Sequence, residues 1–291
     1  MKVLIPVDGS KACCNAGRFV CEHRDDFESP VSVYLVHVAK ALATEVTEEI
    51  EQYGPLSELS HQKLQAYYRA QGDEVFATVE ALLTKAAISY QKIYEQGDIV
   101  SKIQQVVENE KIDLIVMGTR GQTSFESLLF GSVMTEVIAS SSVPTLVVSQ
   151  RYNGKVAESV KVAVAMDTFE EITKPLAYVL SHQNAFAPTT QYQLIHVRSD
   201  DDTLSLTKSV TLALDLDQLK FNGELQEKGL LAQAFDLRGE PGITLADHCR
   251  EEKVGLIVMG SHGYGRIRSA LMGSMVRRVA SLSPIPLLIV R

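Results

Sequence analysis

The apolar positions of the chain follow two periods in turn. Short aliphatic runs such as KVLIPV at 2–7 and VYLVHV at 33–38 alternate with longer stretches whose apolar residues recur at helical spacing. The segment KIQQVVENEKIDLIVMG shows the switch: Ile103, Val106 and Val107 share one helical face, and IDLIVM then reads as a buried strand. Strands are expected at 2–7, 31–38, about 88–94, 112–117 and 144–148, with helices at 11–23, roughly 57–85, 99–110 and 132–141. Ser10 stands where the first helix needs an N-cap. The pattern then begins again, with strands at 160–166, 191–197, about 231–237, 254–259 and 286–290 and a long helix around 210–228. Strands alternating with helices indicate βαβ units, a mainly parallel sheet and an α/β fold.

The second round repeats the first in detail. MGTRGQTSFESLLFGS at 117–132 and MGSHGYGRIRSALMGS at 259–274 both contain G-x2-G-x9-G-S, 142 positions apart. Residues 2–8 parallel 161–167, and 33–38 parallel 192–197, both at an offset of 159. The run 97–112 matches 239–254 at an offset of 142, so the first half carries 17 more residues between His37 and Gly97. The extra length falls in AKALATEVTEEIEQYGPLSELSHQ, which is acidic and punctuated by turn residues. The join lies near the polar stretch 151–155, giving one domain at 1–152 and a second at 158–291. The last strand of each repeat, in VPTLVVS and IPLLIVR, is apolar and starts with proline, which suits an edge. Two such edges in one chain are expected to cover one another, making a pseudo-twofold monomer that mimics a homodimer.

Composition narrows the function. With 291 residues, 45% of them hydrophobic, the chain can build two cores. Its 36 acidic and 28 basic residues give a net charge of -8, which argues against general nucleic-acid binding. A single phosphate held by backbone N–H groups needs no such charge. The cysteines, Cys13, Cys14, Cys21 and Cys249, form no CxxC and read as apolar thiols in a reducing compartment. The opening MKVLIPVDGS is a strand running into a turn, without a basic leader, and no apolar run approaches ~18 residues. A cytoplasmic protein without membrane contact is expected.

The candidate chemistry lies at the glycine corners. A buried strand ends at Met117, and the carboxyl edge of an open α/β sheet is where ligands bind. Gly118 and Gly121 permit tight turns and close approach to backbone N–H groups. Gly131 and Ser132 then begin a helix whose free N–H groups face the same edge. Asp8 follows the first strand on that side, where it can orient a sugar hydroxyl or a base. Gly260, Gly263, Gly273, Ser274 and Asp167 repeat the inventory. The competing reading is structural: glycines that serve turn geometry, and a Gly-Ser that merely starts a helix. His37 and His196 are read as packed side chains beside the site. His262 stands in place of Arg120, so the first corner is expected to hold polyphosphate more firmly. The chain lacks GxxxxGK[ST], SGGxDS and GxSxG, and neither corner has a nearby DxD, HExxH or paired-carboxylate cluster. No catalytic residue and no protein metal site is therefore assigned.

These features resemble the universal stress protein family, in a tandem arrangement of two fused domains. The resemblance rests on IPVDGS at 5–10, DLIVMG at 113–118 and the glycine pattern ending at Ser132. In the second half it rests on VAMD at 164–167, GLIVMG at 255–260 and the pattern ending at Ser274. It covers almost the whole chain. It implies two Rossmann-like (adenine nucleotide alpha hydrolase-like) domains, each a five-stranded parallel sheet of order 3-2-1-4-5 with helices on both faces. It also implies ATP or a related adenine nucleotide as ligand, with Mg²⁺ entering through the phosphates. Pro6, Val7, Asp8 and Val38 then resemble adenine and ribose contacts. Gly118, Arg120, Gly121, Gly131, Ser132 and Val133 resemble ribose and phosphate contacts. Asp167, Val197, Gly260, His262, Gly263, Gly273 and Ser274 match in the second domain. Some positions depart from the family pattern. Met134 and Val276 stand where a small hydroxyl residue is often found, Ala165 replaces the first-loop proline, and bulky Phe169 follows Asp167 in place of the small DGS turn. The leading expectation is a nucleotide-binding stress-response protein acting through protein partners or protection, with homodimerisation open. The alternatives are a slow ATPase, an interaction protein with one or both corners vestigial, and a different small ligand in the second corner.

Overall fold

The computed structural model describes residues 1–27, 30–39, 58–119, 131–154, 161–166, 169–182, 190–198, 231–261 and 273–291. The first half contains β1 (Lys2–Pro6), α1 (Lys11–Glu22), β2 (Ser32–Ala39), α2 (Glu58–Lys85), β3 (Ser89–Gln96), α3 (Ile99–Glu110), β4 (Leu114–Gly118), α4 (Ser132–Ser140) and β5 (Thr145–Val148). The second contains β6 (Lys161–Met166), α5 (Phe169–Ser181), β7 (Gln191–Arg198), β8 (Leu231–Arg238), α6 (Pro241–Glu251), β9 (Leu256–Gly260), α7 (Ser274–Leu282) and β10 (Leu287–Val290). These bounds follow the expected elements closely. A 3-10 turn at Arg24–Asp26 is an addition, and the helix expected around 210–228 lies outside the described residues.

All ten strands form one sheet of order β3-β2-β1-β4-β5-β10-β9-β6-β7-β8. Each half therefore has the order 3-2-1-4-5, parallel within itself. The halves meet where β5 and β10 pair antiparallel, with Leu288 opposite Leu146, Leu287 opposite Val147 and Ile289 opposite Thr145. Leu146 and Leu288 are equivalent positions of the repeat, so the join is self-complementary, as at a twofold dimer interface. The two apolar edges do cover each other, and neither ladder is left open at that point. Because the joining strands run in opposite directions, the carboxyl edges of the two halves face opposite ways.

Alternation along the strands builds a core on each face. Val3 and Ile5 face α1, α2 and α5, where Ala16, Phe19, Phe76, Val79 and Val179 are buried. Leu4, Ile115 and Ile257 face α3, α4, α6 and α7, where Ile103, Val137, Leu245 and Val279 are buried. Both cores run through the β5–β10 seam, so apolar burial joins the halves as well as the hydrogen bonds. The repeat extends to single backbone conformations: Lys111 and Lys253, each after its helix, both take left-handed φ values of 54° and 56°.

Candidate functional site

In the first half β1 lies between β2 and β4, and the crossovers leave β1 in opposite directions on either side. That reversal opens a crevice at the carboxyl ends of β1 and β4, the place where such sheets take ligands. Pro6, Val7 and Asp8 lead out of β1 there, Val38 lies near the end of β2, and Gly118 ends β4. Val7 is buried, and its backbone is fully engaged: its N–H donates to the Val36 carbonyl at 2.8 Å, and its own carbonyl accepts from His37 Nδ1 at 2.9 Å. His37 is thus a packed side chain bracing the loop, with its ring edge-on to Phe76. Asp8 Oδ1 accepts from the Ser10 N–H at 3.0 Å, and Ser10 Oγ accepts from the Cys13 N–H at 3.3 Å. Ser10 caps α1 as its position implies, and Asp8 sits in the turn at the head of that helix. The nearby Cys13 thiol is no nucleophile: burial pushes its pKa up to about 12, and it donates to the Ser10 carbonyl at 3.0 Å.

The glycine corner is pinned at its root. Thr119 N–H donates to Val148 carbonyl at 3.1 Å, and Thr119 carbonyl accepts from Gly131 N–H at 3.4 Å. One residue thereby brings the two ends of the excursion together. The second half does the same, with Ser261 N–H on Val290 carbonyl at 3.0 Å and Gly273 N–H on Ser261 carbonyl at 3.3 Å. Thr119 and Ser261 are buried, and the motif reading did not single them out. The available signal was a small hydroxyl residue directly after the strand-ending glycine in both copies.

The helices that follow share an unusual start. Ser10, Asp98 and Glu240 each cap their helices by accepting a first-turn N–H. Gly131 and Gly273 provide no side-chain cap for α4 and α7. The first helical bond of α4 runs from Thr135 N–H to Gly131 carbonyl, at 3.2 Å. The N–H groups of Ser132, Val133 and Met134 precede it and point out of the helix end. Such an end attracts an anion through both its donors and the helix dipole. The main-chain N–H donors of this helix end fit a phosphate group.

Gly118 has a packing role as well. A Cβ there would lie 2.4 Å from the Ala12 carbonyl carbon and from Ala12 Cβ. The missing side chain makes room for the first turn of α1. Met134 and Val276 are also turned away from the corner, each 2% exposed in the core under the sheet. Their apolar character is a packing requirement.

In the second half Val197 is buried near the end of β7, Gly260 ends β9, and Gly273 and Ser274 open α7. Ala165, in the place of the first-loop proline, is buried in the core, and Phe169 is the first residue of α5. His196 differs from His37: its Nδ1 is buried without a hydrogen bond, 3.4 Å from Asp236 Oδ1, and Arg198 holds that carboxylate through Nε and Nη2. Arg120, Gly121, Asp167, His262 and Gly263 lie outside the described residues.

Sequence and fold comparisons agree with this frame. The model of the Universal stress protein family matches residues 1–149 and again 160–291. The chain belongs to the universal stress protein family. Universal stress protein MJ0531 of Methanocaldococcus jannaschii is 28% identical over 150 residues, spanning 51% of this chain and 82% of that protein. Universal stress protein Slr1230 of Synechocystis is 23% identical over 268 residues, spanning 91% and 87% of the two chains. A universal stress protein of Archaeoglobus fulgidus matches the whole fold with a TM-score of 0.70 at 22% identity, covering 99% of this chain and 97% of that one. A universal stress protein of two such repeats is therefore the architecture at hand. Among the described residues no group of three or more His, Cys, Asp or Glu side chains is placed to hold a metal, and no helix is long and apolar enough to cross a membrane.

Proposed function

We propose that the chain binds an adenine nucleotide, ATP or a close relative, at each of the two corners. It acts in the stress response through nucleotide-dependent contacts with protein partners or by protection. The observation that carries this reading is the pair of α-helices, α4 and α7, that begin without a side-chain cap at the carboxyl edge of the sheet. The N–H groups of residues 132–134, and their equivalents at 274–276, would take phosphate. Arg120 and His262, with Gly121 and Gly263, would line the excursion over it. Pro6, Val7, Asp8 and Val38, and in the second half Asp167 and Val197, would meet the ribose and base. Mg²⁺ would enter on the phosphates. The two units, at 1–152 and 158–291, would bind independently, since their carboxyl edges face opposite ways. The function is one of binding and signalling, with pairing of two chains as a further level of assembly.

The test separates the two corners. Protein purified without added nucleotide is denatured, and released adenine nucleotides are counted per chain by chromatography and mass spectrometry, followed by calorimetric titration with ATP. Ser132→Asp and Ser274→Asp each place a carboxylate in the first helical turn, where it suits the helix and repels phosphate. Each variant is expected to lose one equivalent and to weaken ATP at its own corner by about tenfold or more. Full binding in both variants would remove the helix ends from the site.

A further inference from the structure

The connection between the halves leaves β5 along one face of α1. Asn15 Nδ2 donates to the carbonyls of Ser149 at 3.0 Å and Gln150 at 3.2 Å, and Arg18 Nη2 donates to the Tyr152 carbonyl. Two turns of helix thus zip residues 149–152 down before the chain departs for the second half. At the end of this zipper Tyr152 is buried, edge-on to Phe19 with ring centroids 5.7 Å apart. Its hydroxyl donates to Glu22 Oε2 at 2.6 Å and lies 3.3 Å from His23 Nε2. The other His23 nitrogen, Nδ1, is 2.7 Å from Asp26 Oδ2, and the ring stacks on Phe19 at 4.2 Å.

The protons in this network can be counted. Burial, then the bond to Glu22, raises the Tyr152 pKa well above the ordinary phenol range, so the hydroxyl keeps its proton and gives it to Glu22. The phenol oxygen is then an acceptor toward His23 and needs a proton on Nε2. Asp26 needs one on Nδ1. Both contacts are satisfied at once only by the imidazolium, which is a donor at both nitrogens. A neutral His23 has one N–H to share. It either faces the Asp26 carboxylate with a bare lone pair, or faces the phenol oxygen with one and draws the hydroxyl proton away from Glu22. Charged groups surround the ring on its own chain segment: Arg18 and Glu22 on α1, and Arg24, Asp25 and Asp26 on the turn that follows. Arg24 is engaged by Asp25 and by the Ala86 carbonyl beyond α2. Tyr152 is the titratable group contributed by the connection.

We propose that His23, Glu22, Asp26 and Tyr152 form a proton-gated latch on the root of the connection between the halves. It is closed when His23 carries two protons and loosened when it loses one. The latch grips the segment directly after β5, the strand that joins the two halves, so its state sets how firmly the connection is held to the first half.

Hydrogen exchange of a peptide covering 149–154 reads the latch directly, once rates are corrected for the intrinsic pH dependence of amide exchange. In the intact protein the corrected protection is expected to fall about tenfold between pH 5.5 and 8.5, the equivalent of one charge-assisted hydrogen bond. His23→Gln should give equal protection at both pH values. Tyr152→Phe should show at pH 5.5 the protection that the unaltered protein has at 8.5. Because Tyr152 is part of the core, Asp26→Asn serves as a second probe that leaves the phenol in place, and it too should flatten the pH dependence. Protection that is independent of pH in the unaltered protein, or a pH dependence that survives His23→Gln, would overturn the latch.

Discussion

At the amino edge of the first half, Lys2 Nζ lies 5.6 Å over the Tyr34 ring and donates to the Glu110 carbonyl at 2.7 Å, while Val106 is buried among apolar neighbours. The matching place in the second half holds Gln193, His248 and Glu252. There Lys161 Nζ donates to Glu252 Oε2 at 2.7 Å, Gln193 Nε2 reaches the same carboxylate at 3.3 Å, and His248 packs on Phe235 with ring centroids 4.6 Å apart. Gln193 Oε1 and His248 Nε2 are buried there without a hydrogen-bond partner. One backbone frame thus tolerates two chemistries under the sheet, on the edge away from the corners. The repeat is constrained at some places and not at others. Corner roots, helix starts and the β5–β10 seam are kept in both copies, and the amino edge is free to drift at some cost in stability.

The largest effect is expected when the polar group is moved across to the first half. Val106→His would bury an imidazole in the sealed apolar place of the first half and is expected to cost about 3 kcal/mol in a guanidinium titration. A loss below about 1 kcal/mol would mean that the first half accommodates polar groups as readily as the second. At the corners the halves should behave alike. Gly118→Ala drives a Cβ into the backbone of α1. It is expected to destabilise by about 2 kcal/mol, and Gly260→Ala should match it if α5 meets β9 as α1 meets β4.

The smallest effect carries a pH signature. Burial lowers the pKa of His248 below its ordinary value, with Glu252 and Glu251 acting in the opposite direction. The unfolded chain therefore binds this proton more readily than the folded one. Stability is lost as pH falls below about 6.5 toward the lowered folded value, and is retained above that range. His248→Val should raise stability at pH 7 by no more than about 1 kcal/mol and flatten the acid side of the stability profile. An unchanged acid slope would assign the loss to other groups.

Much of this protein is legible in its sequence alone. Periodicity is local, so KVLIP, LIVMG and the helical face of Ile103, Val106 and Val107 declare their elements. The Ser10 cap needs only its immediate neighbours. Two equal offsets expose the repeat, and proline-led apolar strands at equivalent ends imply the seam that Leu146 and Leu288 form. The glycine corners are legible as places, since spacing puts a glycine-ended strand and a glycine-started helix on one edge.

What each residue does at those places is decided by the tertiary structure. Gly118 reads as clearance at the corner, and the fold shows that it also makes room for Ala12; Met134 and Val276 read as positions without a hydroxyl, and the fold buries both in the core. The zipper of Asn15, Arg18, Glu22 and His23 on residues 149–152 joins positions about 130 apart, and no local pattern announces it. The reason is physical. Sequence determines which backbone forms locally and which face is apolar. The direction of a Cβ and the partner of a buried polar atom depend on which distant segment the fold lays opposite.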